Sequence, residues 1–196
     1  MQGVSDAVLG SMCWCPITNL DSADAAYEWM MGSTRSGLSD EEQAISDALA
    51  EAGQGENELF GYGDGSGAHF DAALAAILET LGNDAAADYT NDLNMTDSVG
   101  NTAETRLNMY TPLYYLLESS EGYGTSEVAQ YWRIRTGITQ SDTALSTEVN
   151  LALALENYKG VEDVDFETVW GAGHTQAERT GDSTTNFIEW VNACMK

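Results

Sequence analysis

The chain has 196 residues, 43% of them hydrophobic, and sets 32 acidic side chains against 7 basic ones for a formal charge of −25. That length buries a core and fits one domain, with room for a second small one. A surface this anionic repels nucleic-acid phosphates and anionic lipid, so neither is expected as a partner, and no apolar run approaches the roughly 20 residues of a membrane span.

Residues 8–17 (VLGSMCWCPI) form a short apolar run stopped by Pro16 and Asn19, which predicts a buried strand. Asp21 can cap a helix through Ala26, Tyr27 and Met30 that stops at Gly32. Ser39-Asp-Glu-Glu42 reads as a capping box, and Ile45 and Leu49 give the helix behind it an apolar face. Residues 53–67 are glycine-rich and predict a loop. Phe70, Leu74, Ile77, Leu78 and Leu81 recur at helical spacing up to Gly82. Residues 83–106 are polar and weakly patterned, so loop and short turns are expected there. Thr111-Pro112 opens a helix through Leu117 with proline at its first position.

From residue 128 the pattern changes. Residues 131–136 (YWRIRT) predict a strand, and residues 143–158 a helix with Leu151, Leu155 and Tyr158 inward, ended by Gly160. Residues 164–170 alternate as a strand, and Asp182 starts a last helix carrying Phe187, Trp190, Val191 and Cys194. Strands alternating with helices imply an α/β fold with parallel pairing, here of about three strands. Cysteines 13, 15 and 194 are too few and too oddly placed for a disulfide framework or a zinc cluster. Buried free thiols are expected, which mildly favours a reducing compartment. No basic and then apolar leader follows Met1, and the compartment is left open.

In a parallel α/β sheet, functional groups gather at the carboxyl ends of the strands. The loop GITQSD after residues 131–136 delivers Asp142, and the loop GAGH after residues 164–170 delivers His174. One crossover helix and one strand separate them, which puts both loops on the same sheet edge. A carboxylate there would fix the imidazole tautomer and stabilise the imidazolium. The same residues also fit a helix cap at Asp142 and a surface histidine at 174.

Three stretches carry a resemblance: residues 12–29 (MCWCPITNLDSADAAYEW), the block 107–158 with YWRIRTG and Asp142, and residues 164–192 with VWGAGH. Together they resemble the C-terminal half of bacterial tannase-like esterases, serine α/β-hydrolases related to feruloyl esterases. The resemblance implies a partial α/β-hydrolase core over residues 1–20 and 125–196, with a mainly helical lid inserted at 21–124. It implies Asp142 as triad acid and His174 as triad base, in the chain order serine, aspartate, histidine. The family's G-x-S-x-G nucleophile elbow would precede residue 1. The expectation is therefore a part bearing acid and base without the serine, inactive alone and completed by an N-terminal half. Phenolic-acid esters are the substrates implied. No cofactor and no metal are implied.

The alternative is a non-catalytic acidic interaction domain, or a truncated gene product, which self-associates through its open edge. Ser5, Ser66 and Ser126 are weak substitutes for the nucleophile. His69 reads as a satisfied or solvent-facing histidine. Asp92-x-Asn94-x-Thr96 lacks the glycine and glutamate of a calcium loop. Arg133 and Arg135 share a strand face and are expected to neutralise nearby carboxylates, with an anionic substrate group as the lesser reading. The five tryptophans are expected in the core, with an aromatic-ester pocket as a minority role for Trp14 and Trp29.

Overall fold

Strand β1 (Gly10–Trp14) is shorter than the apolar run that encodes it. Cys15 adopts φ 45°, outside the extended region, and Pro16 has no N–H to donate, so the ladder stops after the bond from Cys15 N to the Arg135 carbonyl. The computed structural model describes residues 7–19, 37–52, 70–87, 91, 94–140 and 143–196. The helix expected after Asp21 and the loop expected at 53–67 lie outside them.

Helix α1 (Asp40–Ala52) starts on the reciprocal cap that its sequence announces. Glu42 Oε2 accepts from Ser39 N at 2.8 Å, and Glu42 N donates to Ser39 Oγ at 3.3 Å. The Ser39 N–H and the Ser39 hydroxyl, the latter also at 2.8 Å, both donate to the Glu42 carboxyl and hold it below its usual range. Helix α2 (Phe70–Thr80) packs against α1 and ends at Gly82, φ 71°, with Asn83 N bonded back to Leu78 O. Asn83 also donates to Glu41 across the pair at 2.7 Å.

Helix α3 (Ala103–Met109) falls partly inside the stretch expected to be loop. Thr102 Oγ1 accepts from Thr105 N at 3.2 Å, a local cap that starts the helix without an apolar repeat to announce it. Helix α4 (Pro112–Leu116) has proline in its first turn, as expected. One of its free N–H groups, that of Leu113, is met by Asn19 Oδ1 at 3.1 Å, so the turn after β1 caps a helix far along the chain.

Strand β2 (Tyr131–Gly137), helix α5 (Leu145–Asn157), strand β3 (Asp163–Val169) and helix α6 (Ser183–Cys194) complete the order. The three strands form one parallel sheet in the order β1-β2-β3, with Cys13 opposite Ile134 and Ile134 opposite Phe166. Alternation along the strands gives the sheet two different faces. Cys13, Trp132, Ile134, Val164 and Phe166 pack with α4 and α5 around Leu113, Leu116, Leu151 and Leu155. Arg133, Arg135, Asp165 and Glu167 point the other way, to the side where α6 lies against β1.

Helix α6 is capped as expected, Asp182 Oδ1 accepting from Thr185 N at 3.0 Å. None of its side chains is fully buried. Its apolar residues Phe187, Trp190, Val191 and Cys194 meet Gly10, Met12 and Trp14 across an open groove of about 510 Å³. The three cysteines are free thiols. Trp170 departs from the core expectation: it is 87% exposed, because β3 ends at Val169 and Gly171 turns the chain at φ 75°. Trp29 lies outside the described residues. Among the described residues no helix is long and apolar enough to cross a membrane.

Candidate active site at the carboxyl end of the sheet

The segments leaving the three strands converge. Gly137 N donates to Cys15 Sγ at 3.4 Å, and Cys15 Sγ donates to the Thr175 carbonyl at 3.5 Å. Thr139 donates to the Ala172 carbonyl from both its N–H (3.0 Å) and its hydroxyl (2.7 Å). A Cβ on Gly137 would run into the carbonyls of Ala172 and Gly173. The sheet therefore clamps the loop that carries His174 directly against the exit of β2, which requires glycine at 137.

His174 is exposed, and its Nδ1 lies 3.0 Å from Gln140 Oε1. Gln140 Nε2 donates to Thr136 Oγ1 at 2.6 Å and to Glu148 Oε1 at 2.8 Å. Thr136 Oγ1 donates to the same Glu148 oxygen at 3.1 Å. Thr136 and Glu148 are both fully buried. Burial pushes the Glu148 carboxyl up, while bonds from its own backbone N–H, Gln140 and Thr136, and the His174 charge, draw it back. Asp142, the acid expected opposite His174, lies outside the described residues, as does His69.

Sequence reasoning passed over Gln140, Thr136 and Glu148. A signal for Glu148 exists. It sits on the stripe Glu148, Leu151, Ala152, Leu155 at helical spacing, and all four are buried. A carboxyl in that stripe has to be satisfied by something polar at the end of the sheet.

Of the weak serine candidates, Ser5 and Ser66 lie outside the described residues. Ser126 precedes β2, at the end of the sheet away from His174, about 23 Å of strand distant at 3.3 Å per residue. Arg133 and Arg135 do as expected. Arg135 holds both Asp165 carboxylate oxygens at 2.7 Å, and Arg133 binds Asp165 and Glu178, the latter at 2.9 Å. Glu167 stands 3.4 Å from Arg135 Nε. These guanidiniums are occupied by the protein's own carboxylates, on the α6 side of the sheet. Among the described residues no group of three or more His, Cys, Asp or Glu is arranged to hold a metal ion.

No protein-family model and no curated protein matches the sequence. Solved structures do match. The tannin acyl hydrolase from Lactobacillus plantarum superposes with a TM-score of 0.59 at 21% identity, over 99% of this chain and 58% of that one. The Fusobacterium nucleatum tannase gives 0.60 at 21% identity, over 96% of this chain and 59% of its own. A tannin acyl hydrolase in complex with ethyl gallate gives 0.57 at 21%, over 99% and 58%. The chain carries part of the tannase α/β-hydrolase fold. At this identity the likeness is one of fold, and the chain spans somewhat under three fifths of the length of the tannases it matches. The tannase-like frame places β1, β2 and β3 in one parallel sheet with flanking helices, as the sequence led one to expect.

Proposed function

We propose that the chain is the acid–base part of a serine carboxylic-ester hydrolase acting on phenolic-acid esters. The observation that carries this reading is His174, held by a clamped loop at the carboxyl end of a tannase-like sheet. In the proposed reaction His174 Nε2 takes the proton of a serine hydroxyl as its oxygen attacks the ester carbonyl. The same nitrogen then gives that proton to the departing alcohol, and water releases the acyl group by the reverse sequence. Asp142 orients His174, as the triad acid that the resemblance implies. Residues 21–124 act as the lid over the acyl group, and residues 1–20 and 125–196 as the core.

The serine comes from the remainder of a tannase-length protein, which seats against β1 and the apolar groove under α6. The half-buried strand and the absence of any fully buried residue in α6 support that placement. The test is turnover of ethyl gallate by this chain, by a tannase-type segment bearing G-x-S-x-G, and by the two together. Activity only in the mixture, lost with His174→Ala, is the expected result. A mixture no better than its parts overturns the reading.

The open groove favours one second reading, a non-catalytic domain that self-associates through this face. It predicts a concentration-dependent dimer on size-exclusion chromatography that Trp190→Glu dissociates, with no hydrolysis in any mixture.

A further inference from the structure

We propose that Gln140 is a positioning residue for His174: its carboxamide, aligned by Thr136 and Glu148, fixes the ring proton on Nδ1 and leaves Nε2 as the basic nitrogen. The inference rests on His174 acting as a base. Its ground is a count of donors and acceptors.

The Gln140 amide nitrogen has two hydrogens and two acceptors in reach, Thr136 Oγ1 at 2.6 Å and Glu148 Oε1 at 2.8 Å. The Thr136 hydroxyl spends its one hydrogen on Glu148 Oε1 at 3.1 Å. Reversing the amide would set its oxygen against the acceptor oxygen of Glu148, two electron-rich atoms at hydrogen-bond distance. The network therefore orients the amide with Oε1 outward, so that the amide presents an acceptor to the ring. At 3.0 Å the ring atom opposite it, Nδ1, must carry the hydrogen.

Burial makes the arrangement stiff. Thr136 and Glu148 are 0% exposed, and Gln140 is anchored on them while its oxygen reaches an exposed ring. Glu148 thus acts at one remove: it contributes no proton to the reaction and sets the direction of the amide that sets the tautomer.

The chain has two histidines, so long-range ¹H–¹⁵N spectra of the imidazoles, recorded on the full chain above the pH of ring protonation, contain two spin systems. His69→Asn assigns them. His174 is expected as the Nδ1–H tautomer. Gln140→Leu should move it toward the Nε2–H form that free neutral imidazole prefers. An Nε2–H tautomer in the unaltered protein overturns the proposal without recourse to any variant. So does a Gln140→Leu protein with native circular dichroism and an unchanged tautomer. The spectra do not depend on turnover: Nδ1–H without hydrolysis in any mixture removes the proposed function alone, and hydrolysis with Nε2–H removes this inference alone.

Discussion

Replacing Arg135 with methionine tests whether the charged face of the sheet is a built ion cluster. Arg135 is 4% exposed and makes hydrogen bonds to the carbonyls of Ile134 (3.0 Å) and Asp165 (2.7 Å) as well as to both Asp165 carboxylate oxygens. Methionine fills most of the same volume, so packing changes little. What changes is charge: Asp165, Glu167 and Glu178 are left with Arg133 as their buried cation. Removing one partner of a buried pair costs about 3–5 kcal/mol. Asp165 is 35% exposed and recovers some hydration, which moves the expectation to about 3 kcal/mol. For a chain of this length that corresponds to a fall in Tm of about 6–12 °C. Urea unfolding followed by tryptophan fluorescence measures it, with Arg179→Ala as control. Arg179 binds Glu167 at 3.0 Å but is 77% exposed, and its loss should cost under about 1 kcal/mol. Equal small losses for both variants would refute the claim that burial makes the Arg135 cluster structural.

Leu155→Ala removes a side chain that is 0% exposed at the centre of the α5 contact and should cost about 2–5 kcal/mol in the same assay; a loss within 0.5 kcal/mol would mean the helix is not seated on the sheet. Gly137→Ala should both destabilise the fold and change the His174 imidazole spectrum, since the new methyl group meets the Ala172 and Gly173 carbonyls. An unchanged spectrum would mean that the two loops do not touch. Glu148 titrates higher in the folded chain than unfolded because it is buried. From the unfolded carboxyl value near about 4.3 up to its raised folded value, the native state holds the extra proton. Its contribution to stability therefore falls as pH rises through that window. The stability of the unaltered chain minus that of Glu148→Gln should decline with pH there, and a rising difference would show that the carboxyl is not desolvated.

The parts of the fold that the sequence announced are those whose signals are local. Ser39 and Glu42 name a capping box from their spacing alone, and Asp182 names the start of α6. The alternation in residues 131–136 separates a packed side from a charged one without any knowledge of neighbours. Strand β1 was harder, because its end is set by the left-handed backbone at Cys15 rather than by a change in hydropathy. Helix α3 has no apolar repeat, and only Thr102 marks it. Trp170 reads as core by type, yet its exposure follows from where the chain turns, one residue after β3.

The site was legible in its location and not in its partners. Topology alone brings the segments after β2 and β3 to one edge, and the structure joins them through Gly137, Thr139 and Ala172. Which atom faces His174 Nδ1 is a different kind of fact. It depends on a 34-residue separation closing to 3.0 Å, and on a buried glutamate whose helix begins just beyond the loop. A carboxylate beside an imidazole is the familiar reason to single out an aspartate, and it drew attention to Asp142. The carboxamide two residues earlier is chemically quieter and lacks charge. Locked between a buried hydroxyl and a buried carboxyl, it gains by orientation what it lacks in charge: it presents the ring with an acceptor that cannot turn away.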